Sequence, residues 1–179
     1  MHPMQAIAFT GLPGSGKSEA VAVAERQGGT VIRMGDEVRA EARRRGMEPS
    51  DDNLGGIADD LRQREGMDVW AQRSLPDSDG DVVIDGIRNI EEVEFFREEL
   101  DDFVLVAIHT SPETRYQRLQ ERGRSDDSVS FDELKKRDER ELGWGIGNVV
   151  AMADVVIVNE GSMEELHDKV TGLLAGMQR

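Results

Sequence analysis

The chain has 179 residues, no cysteine, and 37 acidic against 22 basic residues, for a formal net charge of −15. That length fits one domain with one full-sized core, and the missing cysteines exclude disulfides and a cysteine zinc site. No apolar run reaches the roughly 20 residues that span a bilayer, and a strongly negative surface repels nucleic acid unless basic residues are concentrated locally.

The first predicted element is a buried strand, AIAFT at 6–10. The residues before it, MHPMQ, lack the charged start and long apolar middle of a signal peptide, so a cytoplasmic protein with no membrane attachment is expected. Next comes GLPGSGKS at 11–18, with the spacing G-x-x-x-x-G-K-S. In such a loop the backbone of Gly11, Leu12, Pro13, Gly14, Ser15 and Gly16 curls so that N–H groups point at phosphate oxygens. Lys17 reaches the β- and γ-phosphates and the Ser18 hydroxyl coordinates Mg²⁺. The Ala- and Glu-rich stretch after Ser18, stopped by Gly28, predicts a helix whose dipole favours the same anion. Strand, glycine loop and helix in that order lead to the expectation of ATP with Mg²⁺.

Further strand-like runs are TVIRM (30–34), VVID (82–85), FVLVAIH (103–109) and VVIVN (155–159), with helical stretches between them. Ser130 with Glu133 and Ser162 with Glu165 have capping-box spacing, and Ser111 with Pro112 marks another helix start. Strands alternating with helices predict an α/β fold: a five-stranded parallel sheet between helical layers. Ligands of such sheets bind beyond the carboxyl ends of the strands. At those ends stand Asp36 and Arg39 after the second strand, and Asp85 and Arg88 after the third. Asp36 is expected to cap a helix or act on the acceptor, and Asp85 to hold the water shell of Mg²⁺. Arg39 and Arg88 are expected to grip an acceptor phosphate, since guanidinium suits bidentate phosphate contacts. After the fourth strand, Arg118, Arg122, Arg124, Arg137 and Arg140 suggest a phosphate lid. Asn159 closes the fifth strand, where a loop beside the phosphate loop would contact a nucleotide base. GWGIGN (143–148) reads as a helix end followed by a flexible turn, with Trp144 partly exposed.

On these motifs the chain resembles the nucleoside monophosphate kinase branch of the P-loop kinases. GDEVR at 35–39 is similar to the acceptor-phosphate motif of adenylate kinase, and VVIDGIR at 82–88 to its D-G-F-P-R segment, one residue shorter and without the proline. RLQER followed by GRSDD is similar to that family's base-stacking and lid arginines. ADVVIVNEGSMEEL and HTSPETRYQRL instead resemble dephospho-coenzyme A kinase. MGDEVR, VVIDGIR, GRSDD and DERELGWGIG together resemble an archaeal family of adenylate-kinase-related P-loop proteins, and the acidic, lysine-poor composition fits a haloarchaeal member. The resemblance implies a P-loop NTPase sandwich with a helical acceptor region at about 36–75 and a short lid at about 122–140. It implies base stacking by Arg118 and charge neutralisation by Arg122, Arg124 and Arg137.

Three functions follow as expectations. The first is transfer of the ATP γ-phosphate to a nucleotide-like small molecule held by Arg39 and Arg88. The second is phosphorylation of a hydroxyl, as in dephospho-coenzyme A, with Asp36 as the base. The third is a nucleotide-binding switch or ATPase acting on a partner.

Overall fold

The computed structural model describes residues 6–75, 80–122 and 130–177. In chain order its elements are β1 (Ala6–Thr10), α1 (Lys17–Arg26), β2 (Thr30–Arg33), α2 (Met34–Arg44), α3 (Asp51–Glu65), α4 (Val69–Ser74) and β3 (Val82–Asp85). Then come α5 (Ile90–Glu99), β4 (Phe103–His109), α6 (Pro112–Glu121), α7 (Phe131–Trp144), α8 (Ile146–Ala151), β5 (Val155–Val158) and α9 (Met163–Met177).

The five strands form one parallel sheet in the order β2-β3-β1-β4-β5. Both faces are covered, as the near-continuous apolar strands require. Side chains alternate across the sheet with a period of two. Ala6, Ala8, Val82, Ile84 and Leu105 point into a core with Met34, Leu61, Trp70 and Phe96. Ile7, Phe9, Val83, Val106 and Ile108 point into a second core with α1 and α9 residues such as Val21 and Val170. Parallel register sets Phe9 beside Asp85 and Arg33 beside Asp85. The carboxyl ends of β1, β2 and β3 therefore open at one level.

Several local expectations change. The second helix begins at Met34, with Arg33 in the N-cap position, so Asp36 is not the cap but a first-turn residue. The physical reason is Met34, whose burial in the first core sets the helix start three residues earlier. Ser130 and Glu133 form the full capping box of α7. At α6, Pro112 holds the first turn, but Ser111 makes no capping bond to the helix backbone; its hydroxyl goes to Thr114 and Glu160. GWGIGN is not a flexible turn. Gly145 takes the left-handed conformation at φ 107°, ends α7 and starts α8 directly. Trp144 packs against the first core and stacks under the Arg62 guanidinium, 4.4 Å from the ring centre.

Candidate active site

The phosphate loop connects β1 to α1. Gly14 and Gly16 have φ of 79° and 96°, a region that side chains with a Cβ rarely adopt. A Cβ on Gly14 would also lie 3.0 Å from the Arg115 carbonyl oxygen. The loop is tied from behind. Asn159 Nδ2 donates to the Ser15 carbonyl at 2.8 Å, and the Thr110 hydroxyl lies 3.0 Å from the same oxygen. Arg115 Nη1 donates to the Pro13 carbonyl at 3.0 Å. The loop is held by its carbonyls, while the first turn of α1 leaves N–H groups without intrahelical acceptors. Those groups and the glycine cradle fit a polyphosphate.

Gly11, Leu12, Pro13, Gly14, Ser15, Gly16, Lys17 and Ser18 line a cavity together with Arg88, Leu119, Arg122, Arg137 and Glu141. Four predicted cations thus share one space with the loop. Lys17 Nζ is ion-paired with Asp85 Oδ1. Burial pushes the Lys17 ammonium below its ordinary value, the Arg88 charge adds to that, and Asp85 opposes it. Ser18 lines this cavity, whereas Asp85 is not among its lining residues and is engaged by the Lys17 ammonium. A second cavity alongside is lined by Gly16, Arg118, Arg122, Asn159, Gly161 and Leu166, among others. Arg118 Nη2 donates to the Gly161 carbonyl at 3.0 Å. Asn159 is buried and its amide serves the phosphate loop, so its main contact is with the loop backbone.

The remaining predicted residues fall differently. Arg39 and Asp36 pair with each other at 3.1 Å, both more than half exposed, and neither lines the phosphate-loop cavity. Arg140 donates to Asp51 at 2.9 Å and lies above Trp144, so of the two α7 arginines only Arg137 lines the cavity. Arg124 lies outside the described residues.

Three residues that organise the site were not singled out from the sequence. Glu92 is fully buried; it accepts from the Arg88 backbone N–H at 2.7 Å and from Arg62 at 2.9 Å. Burial pushes its carboxyl up, against the pull of Arg62. Its signal was readable: Asn89 and Glu92 have capping-box spacing, and Asn89 Oδ1 accepts from the Glu92 N–H at 2.8 Å. Arg115 is buried and forms a two-pronged pair with Asp138 at 3.0 and 2.7 Å, tying α6 to α7 beneath the phosphate loop. Glu141 is 3 % exposed and lies between Arg137 and Arg88, at 3.3 and 3.4 Å. Its spacing of four from Arg137 was the only local hint.

An AAA domain family model matches residues 10–135. Archaeal relatives match almost the whole chain. A UPF0200 protein of Methanothrix thermoacetophila is 47% identical, covering 98% of this chain and all of that protein. A UPF0200/UPF0201 protein of Archaeoglobus fulgidus is 48% identical over 96% of this chain, which spans 55% of that relative's length. Among solved structures, shikimate kinase from Bacteroides thetaiotaomicron has a TM-score of 0.58 at 15% identity, covering 96% of this chain and 99% of that one. A gluconokinase from Sinorhizobium meliloti has a TM-score of 0.57 at 21% identity, covering 98% and 92%. Both likenesses show the P-loop kinase fold. With relatives matched along nearly its full length and an AAA domain model over residues 10–135, the chain belongs to the UPF0200 family.

Proposed function

We propose that the protein is an ATP-dependent phosphotransferase acting on a nucleotide-like small molecule. The carrying observation is the shared cavity: the phosphate loop, Lys17, Arg88, Arg122 and Arg137 converge on one space. MgATP, when bound, supplies the γ-phosphoryl group. The loop N–H groups and Lys17 hold the phosphates, and Ser18 and Asp85 serve the metal. Arg88, Arg122 and Arg137 offset the charge on the transferring group.

The acceptor is a phosphate or a hydroxyl. A phosphate is already ionised and needs no base, whereas a hydroxyl must lose a proton. One observation favours the hydroxyl, as in the dephospho-coenzyme A type. Arg39 pairs with Asp36 and Arg88 pairs with Glu141, so both arginines expected at an acceptor phosphate already face carboxylates of the chain.

The test is a screen with labelled ATP and Mg²⁺ against nucleoside monophosphates, dephospho-coenzyme A, shikimate and gluconate. Transfer to one of them, lost in Lys17→Ala with the fold intact by circular dichroism, is the expected result. That loss should reach at least about 100-fold, as for removal of one preorganised charge contact. ATP hydrolysis with no transfer to any small molecule would instead support a switch acting on a partner.

A further inference from the structure

Glu141 Oε2 is a buried carboxylate oxygen with no hydrogen-bond partner. Arg88 Nε stands 3.4 Å away without the alignment of a hydrogen bond, while Oε1 accepts from Arg137 Nε at 3.3 Å. Buried polar atoms of folded proteins are almost always satisfied, and the exceptions point to water, an ion or function. Glu141 lines the same cavity as Gly14, Gly16, Lys17 and Ser18. Two arginines keep the carboxylate in place, and one oxygen remains to accept a proton donor from the cavity.

Resting on the phosphotransferase reading, we propose that Glu141 is the catalytic base and that the acceptor is an alcohol whose hydroxyl donates to Glu141 Oε2. The alcohol oxygen forms a bond to the γ-phosphorus as the bond from that phosphorus to the β–γ bridging oxygen breaks. ADP leaves with that electron pair. The hydroxyl proton passes to Glu141 Oε2 and later to water. A phosphate acceptor is already ionised and brings no proton for Glu141 Oε2 to take. Asp36 is the worse base: it is more than half exposed and already paired with Arg39.

The groups facing Glu141 are Arg137 on its own helix, Arg88 after β3, Lys17 on α1 with its partner Asp85, and Arg122 at the end of α6. Among the described residues, Glu141 is the carboxylate that lines this cavity, and its Oε2 has no hydrogen-bond partner. The experiment compares wild type, Glu141→Gln and Glu141→Asp in kcat and KM across pH, with the compounds screened above, and locates the product phosphate by ³¹P NMR. Expected are a phosphomonoester product and a 10²–10⁴-fold lower kcat in Glu141→Gln with KM within about threefold. The acid-side fall in kcat should persist in wild type and Glu141→Asp and vanish in Glu141→Gln. Transfer onto a phosphate, giving a diphosphate product, would overturn the inference and leave the phosphotransferase reading standing. A Glu141→Gln enzyme within threefold of wild-type kcat would also overturn it. ATP hydrolysis with none of the compounds phosphorylated would favour the switch reading and overturn the inference. Absence of both transfer and hydrolysis would remove the phosphotransferase reading and the inference together. Glu141→Asp keeps the charge between Arg88 and Arg137, so it separates loss of the base from loss of the fold.

Discussion

Arg115 shows how a single buried charge can hold a loop by its backbone. Its guanidinium bonds the Pro13 carbonyl and both oxygens of Asp138, and it is only 2 % exposed. Breaking a buried pair by removing one partner strands the other charge and costs about 3–5 kcal/mol. Arg115→Met should therefore destabilise the protein by about 3 kcal/mol in urea unfolding and weaken binding of an ATP analogue. A variant with wild-type stability would show that Asp138 finds solvent instead. Asp36 gives the contrasting case. It is exposed and its pair with Arg39 is a surface pair, worth about 0–1 kcal/mol. Asp36→Asn should leave kcat within about threefold of wild type, and a loss of 100-fold or more would restore it as the base.

At the scale of elements, α2 ends in a charged clasp. Glu41 accepts from Arg45 at 2.8 Å and from Arg44 at 2.9 Å, and Arg73 of α4 also reaches it at 3.3 Å. Hydrogen bonds from Arg45, then Arg44, hold its carboxyl down to about 2. A carboxyl depressed in the folded state contributes stability that is present above its ordinary range and is lost as pH falls toward that value. With solvent screening, the clasp is worth about 1 kcal/mol. Glu41→Gln should be less stable than wild type by that amount at neutral pH, with the gap closed near pH 2. A gap that persists at pH 2 would assign the loss to packing. The next helix boundary of consequence is that of α7. Its capping box fixes where the helix starts, and the helix then carries Arg137 and Glu141 to the cavity on one face.

Over the whole molecule, 37 acidic residues against 22 basic leave −15 in charge after every possible pairing. Self-repulsion of that kind destabilises the compact state and is screened by salt. Raising KCl from about 0.1 to 2 M should raise Tm by roughly 3 °C or more, about 1 kcal/mol at this chain length. A Tm that falls with salt would mean that the many arginine–carboxylate pairs outweigh the repulsion. Among the described residues, no helix is long and apolar enough to cross a membrane.

The strands and the phosphate loop were legible in the sequence because both are local. Short continuous apolar runs place β1 to β5 within one residue of their ends, and G-x-x-x-x-G-K-S dictates its own turn and helix start. The strand-end rule led from there to Asp85 and Arg88. What only the tertiary structure decided is which charges meet. Arg88 and Glu141 are 53 residues apart, and Arg115 reaches both Pro13 and Asp138. Helical spacing gives the face a side chain occupies, but not the element that will pack against that face. The approach and rotation of whole helices set those distances. A shift of a few ångströms separates a buried ion pair from two solvated charges, and no local pattern encodes it.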